Sequence, residues 1–407
     1  MDQDRFDRLS RMLGQRASRR AGVLGAISTA LGLVAAPAAD AARKATRRHE
    51  KLACRNANSQ CISDDECCSG SCVPKFGGTE FRCAKRHAKK DKKKDKGGDS
   101  PAPVVCTVCA SGCAFTTIED AIAAADSYAV ITVAPGTYDP IPAAGNALGV
   151  IQVDKNVAIV ACDPHNPPVI VNTHSTGQYM LFFVGGLDEQ NSCTDAGFRF
   201  VIDGFEINGS TQSGRSAIFV SCNASMTISN TVIDGFGPTS FTKQGFSPIV
   251  LAATGFLDID DSIIRNCDTT GPWNLGSAIQ NFLWTDVGLN NYVTLTNTDV
   301  TNNIGRNGPI STGQYGTMTL KGTTSVHSNS ATDGNGGGVF VDGAYSELFI
   351  QENASISGNS TTNGTGGGIY AGAPATVTGA TASNVVNNTA NSCNNFYDAD
   401  LATCVIV

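Results

Sequence analysis

Charge is scarce in this 407-residue chain: Asp, Glu, Lys and Arg make up 16% of it, aromatics 7%, and there are two Trp, five Met and five His. No zinc-site spacing, phosphate-binding loop or serine elbow occurs, so the common zinc-hydrolase, nucleoside-triphosphatase and serine-hydrolase assignments have no sequence footing. Strong helix formers thin out past residue 128, which excludes a helix bundle for most of the chain. Beyond residue 36 no predominantly apolar run approaches the roughly 20 residues a bilayer requires, so no transmembrane segment is expected in the mature protein. Gly, Asn, Thr and Ser are abundant instead, a composition that suits short strands between turns. The length exceeds what one ordinary core organises, and such a composition favours a repeat architecture over several globular domains.

Residues 1–41 read as a processing segment. Ser18, Arg19 and Arg20 precede an uncharged stretch from Ala21 to Ala36, followed by small-residue cleavage candidates at Ala36-Pro37-Ala38 and Ala39-Asp40-Ala41. The twin arginine, with Arg5, Arg8, Arg11 and Arg16 before it, resembles a bacterial twin-arginine (Tat) signal, which implies receptor-mediated export and removal of the leader. A membrane anchor is the alternative, against which the stretch is short and weakly apolar. All fifteen cysteines follow this segment, as expected of an exported protein in an oxidising compartment, and their odd number leaves at least one without an intrachain partner.

Charge divides the rest of the chain. Residues 42–96 carry sixteen Lys and Arg against seven Asp and Glu, whereas residues 114–407 carry seven against twenty-four. After a basic spacer, 42–53, six cysteines fall within thirty residues: Cys54, Cys61, Cys67, Cys68, Cys72 and Cys83. So short a segment cannot bury enough apolar surface to fold unaided, so the cysteines act as staples. Zinc ligation is the competing reading, disfavoured by the adjacent Cys67 and Cys68 and by export. The spacing resembles the inhibitor cystine knot (knottin) family, and that resemblance implies the pairs Cys54–Cys68, Cys61–Cys72 and Cys67–Cys83. The Lys-rich stretch 84–103 reads as a solvated linker or as an electrostatic tether to an anionic wall or lipid surface. Nucleic acid is not an expected partner for an exported chain.

From residue 104 a solenoid is expected. Ile118, Ala121, Ile122 and Ala125 recur at helical spacing behind a Thr116–Glu119 capping box, predicting a short helix, and Val130 to Val133 alternates as a strand that stops at Pro135-Gly136. Two anchors then repeat. The first is an apolar pair, Ala217-Ile218, Pro248-Ile249, Ala278-Ile279, Pro309-Ile310, Gly338-Val339 and Gly368-Ile369, at intervals of about thirty residues. The second is a strand–turn–strand starting at Met226, Leu257, Val293, Met318 and Leu348. Units that cannot each bury an apolar face must stack, which predicts inward columns of Ile, Val and Leu and an asparagine ladder at Asn303, Asn329, Asn359 and Asn388. The opening block, with Ile131, Val133, Pro135, Gly136, Thr137 and Tyr138, resembles the pectin-lyase-like superfamily. That resemblance implies an all-β, right-handed parallel β-helix over 104–407 whose N-terminal helix plugs the open end. The GGGVF and GGGIY repeats also resemble those of polymorphic outer-membrane adhesins. A Cys393–Cys404 disulfide is expected to tie down the other end, while Cys162, Cys193, Cys222 and Cys267 read as small buried hydrophobes.

Chemistry has few candidates. Val201-Ile202-Asp203-Gly204-Phe205 and Val232-Ile233-Asp234-Gly235-Phe236 are thirty-one residues apart and Ile264-Arg265 follows at the same interval, so Asp203, Asp234 and Arg265 are expected to stack on one outer face. Such a set reads as a carboxylate pair for glycoside cleavage, a uronate or calcium site, or a plain turn column that continues as Thr301, His327 and Ser357. Asp258 and Asp260 alternate with Leu257 and Ile259 and so face outward, as a binding site for calcium or a cationic ligand or as a solvated face. Asn297-Thr298-Asp299 resembles a catalytic motif of polygalacturonases, but the paired aspartates Asp260-Asp261 precede it and the later His-Gly and Arg-Ile-Lys motifs are missing; the pectate-lyase signatures are missing too. The function expected is a non-catalytic, adhesin-like platform for a polysaccharide or cell surface, with calcium as the sole cofactor considered. The alternative is a polysaccharide lyase or glycoside hydrolase.

Overall fold

The computed structural model describes residues 106–405 apart from 142–148, 173–179, 186–196, 210–215, 222, 238–246, 253–254, 271–276 and 283–290, together with the backbone of two short strands, Cys72–Pro74 and Phe81–Cys83. The chain divides into two units, one spanning 26–103 and the other holding the solenoid. In the first, the two strands pair antiparallel with Cys72 opposite Cys83. The signal segment, the basic spacer, the Lys-rich linker and the pairing of the six cysteines lie outside the described residues.

The second unit is an all-β parallel solenoid. Its coils lay strands into three long sheets of nine, nine and ten strands, taken in chain order as the first, second and third sheet, with a four-stranded strip between the second and third. Both sequence anchors hold in register. Ile218, Ile249, Ile279, Ile310, Val339 and Ile369 stack in the third sheet, and Met226, Leu257, Val293, Met318 and Leu348 in the first. Residues at these positions point inward and are buried, each contributing about 1.5–3 kcal/mol of apolar burial. No single coil has a core; the core is the stack.

Two corners turn the chain, and both depend on left-handed backbone. Between the first and second sheets stand Gly204, Asn230, Asp261, Asn297, Gly322 and Glu352, all at positive φ; after the second sheet stand Gly235, Asn266, Asn302, Ser328, Gly358 and Asn387, likewise positive. Gly and Asn tolerate this region best, so Asn297 is a turn residue. Polar ladders satisfy the backbone just beyond each corner. At the second, Asn303 donates from both backbone N and Nδ2 to Asn329 Oδ1 (2.9 and 3.1 Å), Asn329 does the same to Asn359 (3.1 and 2.9 Å), and Asn359 to Asn388 (2.9 and 3.0 Å). Each Nδ2 also donates to a carbonyl of the preceding coil, as Asn329 does to Val300 (2.9 Å). The predicted ladder is therefore present, and Cys267 occupies its first rung, donating its backbone N–H to Asn303 Oδ1 at 3.0 Å. Gly338 abuts it: a Cβ there would sit 2.9 Å from Asn359 Nδ2 and 2.8 Å from Gly368 O. At the first corner a hydroxyl ladder that periodicity had not suggested runs through Thr231, Ser262, Thr298 and Thr324, whose hydroxyls donate to local carbonyls at 2.7–3.2 Å.

The ends are closed differently. Helix α1, Ile118–Ala124, buries Ile118, Ala121 and Ile122 against Val108, Ile131 and Val133. Its N-cap is Thr117, accepting from Asp120 N at 3.2 Å, and not Thr116; the expected capping box does not form because Glu119 turns away to accept from Ile141 N at 3.1 Å. Lys155 Nζ donates to the carbonyls of Ala123 and Ala125 at the helix C-terminus, where a cation is favoured. At the far end Phe396–Asp398 and Thr403–Val405 form an antiparallel pair held by the expected Cys393–Cys404 disulfide. Two further disulfides, Cys106–Cys162 and Cys109–Cys113, staple the first coils. The expectation for Cys162 as a buried hydrophobe is thereby corrected: its outward-turned end of strand Val157–Ala161 brings it against the N-terminal cap. Cys267 is free and buried as expected, and burial pushes its thiol up to about 12. Cys193 and Cys222 lie outside the described residues.

Candidate functional site

The outer face of the first sheet brings charged residues beside two exposed aromatic rings. Strand Phe256–Asp260 alternates as expected, with Leu257 and Ile259 inside and Phe256, Asp258 and Asp260 outside. Phe256 stacks on Tyr292 of the next coil, ring centroids 5.2 Å apart and planes 7° from parallel. These rings remain 53% and 37% exposed. Arg199 lies in the column of Phe256, two coils toward the N-terminus, and Lys321 in the column of Asp260, two coils toward the C-terminus. At about 4.8 Å per coil the two cations bracket roughly 19 Å of the face.

The carboxyls between them are perturbed. Desolvation by the surrounding groups raises Asp258 above the usual carboxylate range, against the pull of Lys321 and Arg199 and a hydrogen bond from Thr294. Asp260 is pushed up to about 6, chiefly by burial and then by the neighbouring Asp261 carboxylate, with Lys321 and the Asp261 backbone N–H opposing. Its Oδ1 is shut off from solvent and has no hydrogen-bond partner. Asp261 turns the corner beside it and lines a cleft of about 730 Å³ together with Asp203, Glu206 and Asn230. Glu206 was not a sequence candidate; its position two residues after the left-handed Gly204, at the start of a strand, was the available signal.

The expected stack of Asp203 on Asp234 is not formed. Asp203 ends a first-sheet strand and pairs in register with Ser229 and, through it, Asp260, whereas Asp234 lies in the second sheet with Asn208 before it and Arg265 after it. The coil from Asp203 to Ser229 is 26 residues long, so an offset of thirty-one overshoots by five and lands one sheet further on. The two Ile-Asp-Gly-Phe segments are the same local device, a strand ending in a left-handed Gly, used at two different corners. Asp203 is buried, accepting from Ser229 Oγ at 3.0 Å and Asn230 Nδ2 at 2.7 Å. Asp234 and Arg265 do stack, with Nε 2.8 Å from Oδ2, and Asn266 Nδ2 donates to the other oxygen at 2.8 Å. The column continues as Thr301, His327 and Ser357, as expected. Asp203 and Asp234 thus have no shared reacting centre, and a carboxylate pair made of them is ruled out by topology.

Among the described residues no group of three or more His, Cys, Asp or Glu is placed to hold a metal ion, and no helix is long and apolar enough to cross a membrane. Comparison with known proteins finds no matching family, no matching curated protein and no matching solved structure. The parallel solenoid is consistent with a pectin-lyase-like fold, and any activity has to be argued from the residues.

Proposed function

We propose that this chain is an exported surface or secreted protein whose solenoid binds a polysaccharide along the outer face of the first sheet. The observation that carries the reading is the exposed Phe256–Tyr292 pair set between Arg199 and Lys321 beside Asp258 and Asp260. Exposed apolar surface rimmed by polar groups marks binding surfaces, and aromatic rings supply contact area at low entropic cost. A linear polymer laid along the axis meets equivalent columns once per coil, and its acidic or hydroxyl groups find both cations and carboxylates there. Three disulfides suit an oxidising compartment, and the twin-arginine leader and Lys-rich linker supply a route out and a tether to an anionic surface. Calcium enters through Asp258 and Asp260, bridging the face to an acidic polymer. The test is retention of the full chain on immobilised neutral and acidic polysaccharides, with and without calcium. The Phe256→Ala/Tyr292→Ala variant is expected to lose about tenfold or more in affinity; equal retention of parent and variant would sink the reading.

One observation favours catalysis instead: Asp260, raised to about 6 beside the cleft, is suited to give a proton near neutral pH. In that case new reducing or unsaturated ends accumulate with the parent and not with Asp260→Asn.

A further inference from the structure

The outer face of the second sheet holds an arrangement that lies apart from the polysaccharide face. Asp299 and Thr301 alternate with the fully buried Val300, and Ser325 and His327 with the fully buried Val326; the strands pair with Thr301 opposite His327. His327 Nε2 lies 2.9 Å from Asp299 Oδ1, an oxygen closed to solvent that no hydrogen bond reaches, so the two are in contact without a formed hydrogen bond. The opposite ring nitrogen, Nδ1, is 3.1 Å from Ser328 Oγ and 3.3 Å from Thr301 Oγ1. Carboxylate, imidazole and hydroxyl therefore lie side by side: with the Nε2–H tautomer facing Asp299, the Nδ1 lone pair faces a hydroxyl.

Three features single out Ser328 as the hydroxyl that matters. It is exposed, whereas Thr301 is buried. It sits at φ +56° in a corner column otherwise made of Gly and Asn, so a side chain that tolerates this conformation less well is held where it projects from the turn. Next to it, Gly358 of the following coil leaves open space, with nothing within 4 Å of where a Cβ would stand. On the other side Asn302 of the preceding coil is exposed, and its side-chain amide is a donor available to a developing oxyanion.

We propose that Ser328, His327 and Asp299 are a nucleophile, base and orienting group that hydrolyse acyl esters carried on an exposed polymer, the open space at Gly358 leaving room for the acyl group. Ser328 Oγ attacks the ester carbonyl carbon as its proton passes to His327 Nδ1. The C–O bond breaks and the alcohol departs with that proton. Water, giving its proton to the same nitrogen, then attacks the acyl-serine, and the carboxylic acid leaves as Ser328 regains its hydrogen. Asp299, in contact with Nε2, orients the ring; Asn302 Nδ2 donates to the tetrahedral oxygen.

The experiment uses the full chain, p-nitrophenyl acetate as probe, and phenylmethylsulfonyl fluoride with mass spectrometry to locate a covalent adduct. Hydrolysis is expected to fall about a hundredfold in Ser328→Ala and His327→Gln and about tenfold in Asp299→Asn, with the adduct on Ser328 and the rate kept in Thr301→Val. A urea midpoint for each variant, unchanged for the exposed Ser328→Ala, separates lost chemistry from lost folding. Parent hydrolysis no faster than free imidazole, an adduct elsewhere, or a folded Ser328→Ala variant as fast as the parent overturns the assignment.

Discussion

The coils around residues 199–267 and those from 291 onward use the same three sheets yet are filled differently. At the rung beyond the second corner the earlier coils place Phe236 and Cys267, both buried; the later ones place Asn303, Asn329, Asn359 and Asn388, bonded to one another and to the adjoining backbone. On the outer face of the first sheet the later coils carry Thr294, Thr296, Thr317 and Thr319, the β-branched polar residues a half-exposed strand favours, where the earlier ones carry Phe256, Asp258 and Asp260. Against these threonines, Asp258 and Asp260 incur desolvation, and Phe256 stays half-exposed though stacked on Tyr292. Departures of that kind are where function is to be sought. The asparagine corner adds the complementary lesson: coils of 26, 30 and 29 residues stay in step along it because each carboxamide reaches both neighbours.

The largest expected effect tests that corner. Asn329→Ala removes four hydrogen bonds and strands the Asn303 N–H and the Val300 carbonyl in the interior, at a cost of about 3 kcal/mol. Urea unfolding measures it, and the contrast between regions fails if Cys267→Ala, at the equivalent rung, costs as much.

A smaller effect, and one that depends on pH, belongs to Asp260. Its pKa is higher in the folded chain, about 6, than the ordinary 3.8, so folding favours the protonated form. That contribution is complete below about pH 4 and is lost as pH rises through 6, leaving a penalty at neutral pH. Asp260→Asn should therefore raise the unfolding midpoint at pH 8 by about 1 kcal/mol after allowance for solvent screening, with little change at pH 4. A gain of the same size at both pH values would show that packing, not charge, sets the difference.

The smallest effect comes from Cys267→Asn, which extends the ladder one rung into the earlier region. Its carboxamide would meet Asn303 Oδ1 in place of a thiol, for a gain of about 0.5–1 kcal/mol. A loss of more than that would show that the apolar corner of the earlier coils is shaped against a polar rung.

Much of the fold was legible in the chain. Both apolar anchors, the helix with its buried Ile118, Ala121 and Ile122, the asparagine rungs and the Cys393–Cys404 closure follow from periodicity and spacing, and each is found. Asp258 and Asp260 were also placed correctly on an outer face, because alternation within one strand is local. Less legible were contacts whose partners lie in another coil. The pairing of Asp203 with Asp234 failed on a five-residue difference in coil length, and Cys162 was misread because its partner Cys106 precedes the helix. Asp299 and His327, in a motif and a column that looked plain, came within 2.9 Å of each other only through register.

By itself the sequence determined which residues point inward, where the backbone turns left-handed and which polar side chains ladder between coils, since these depend on a two-residue alternation and on Gly and Asn at the corners. Only the tertiary structure decided which outer residues are neighbours. Coils here run from 25 to 43 residues, and a neighbour one rung away is set by the length of everything between, a quantity that no local pattern along the strand records.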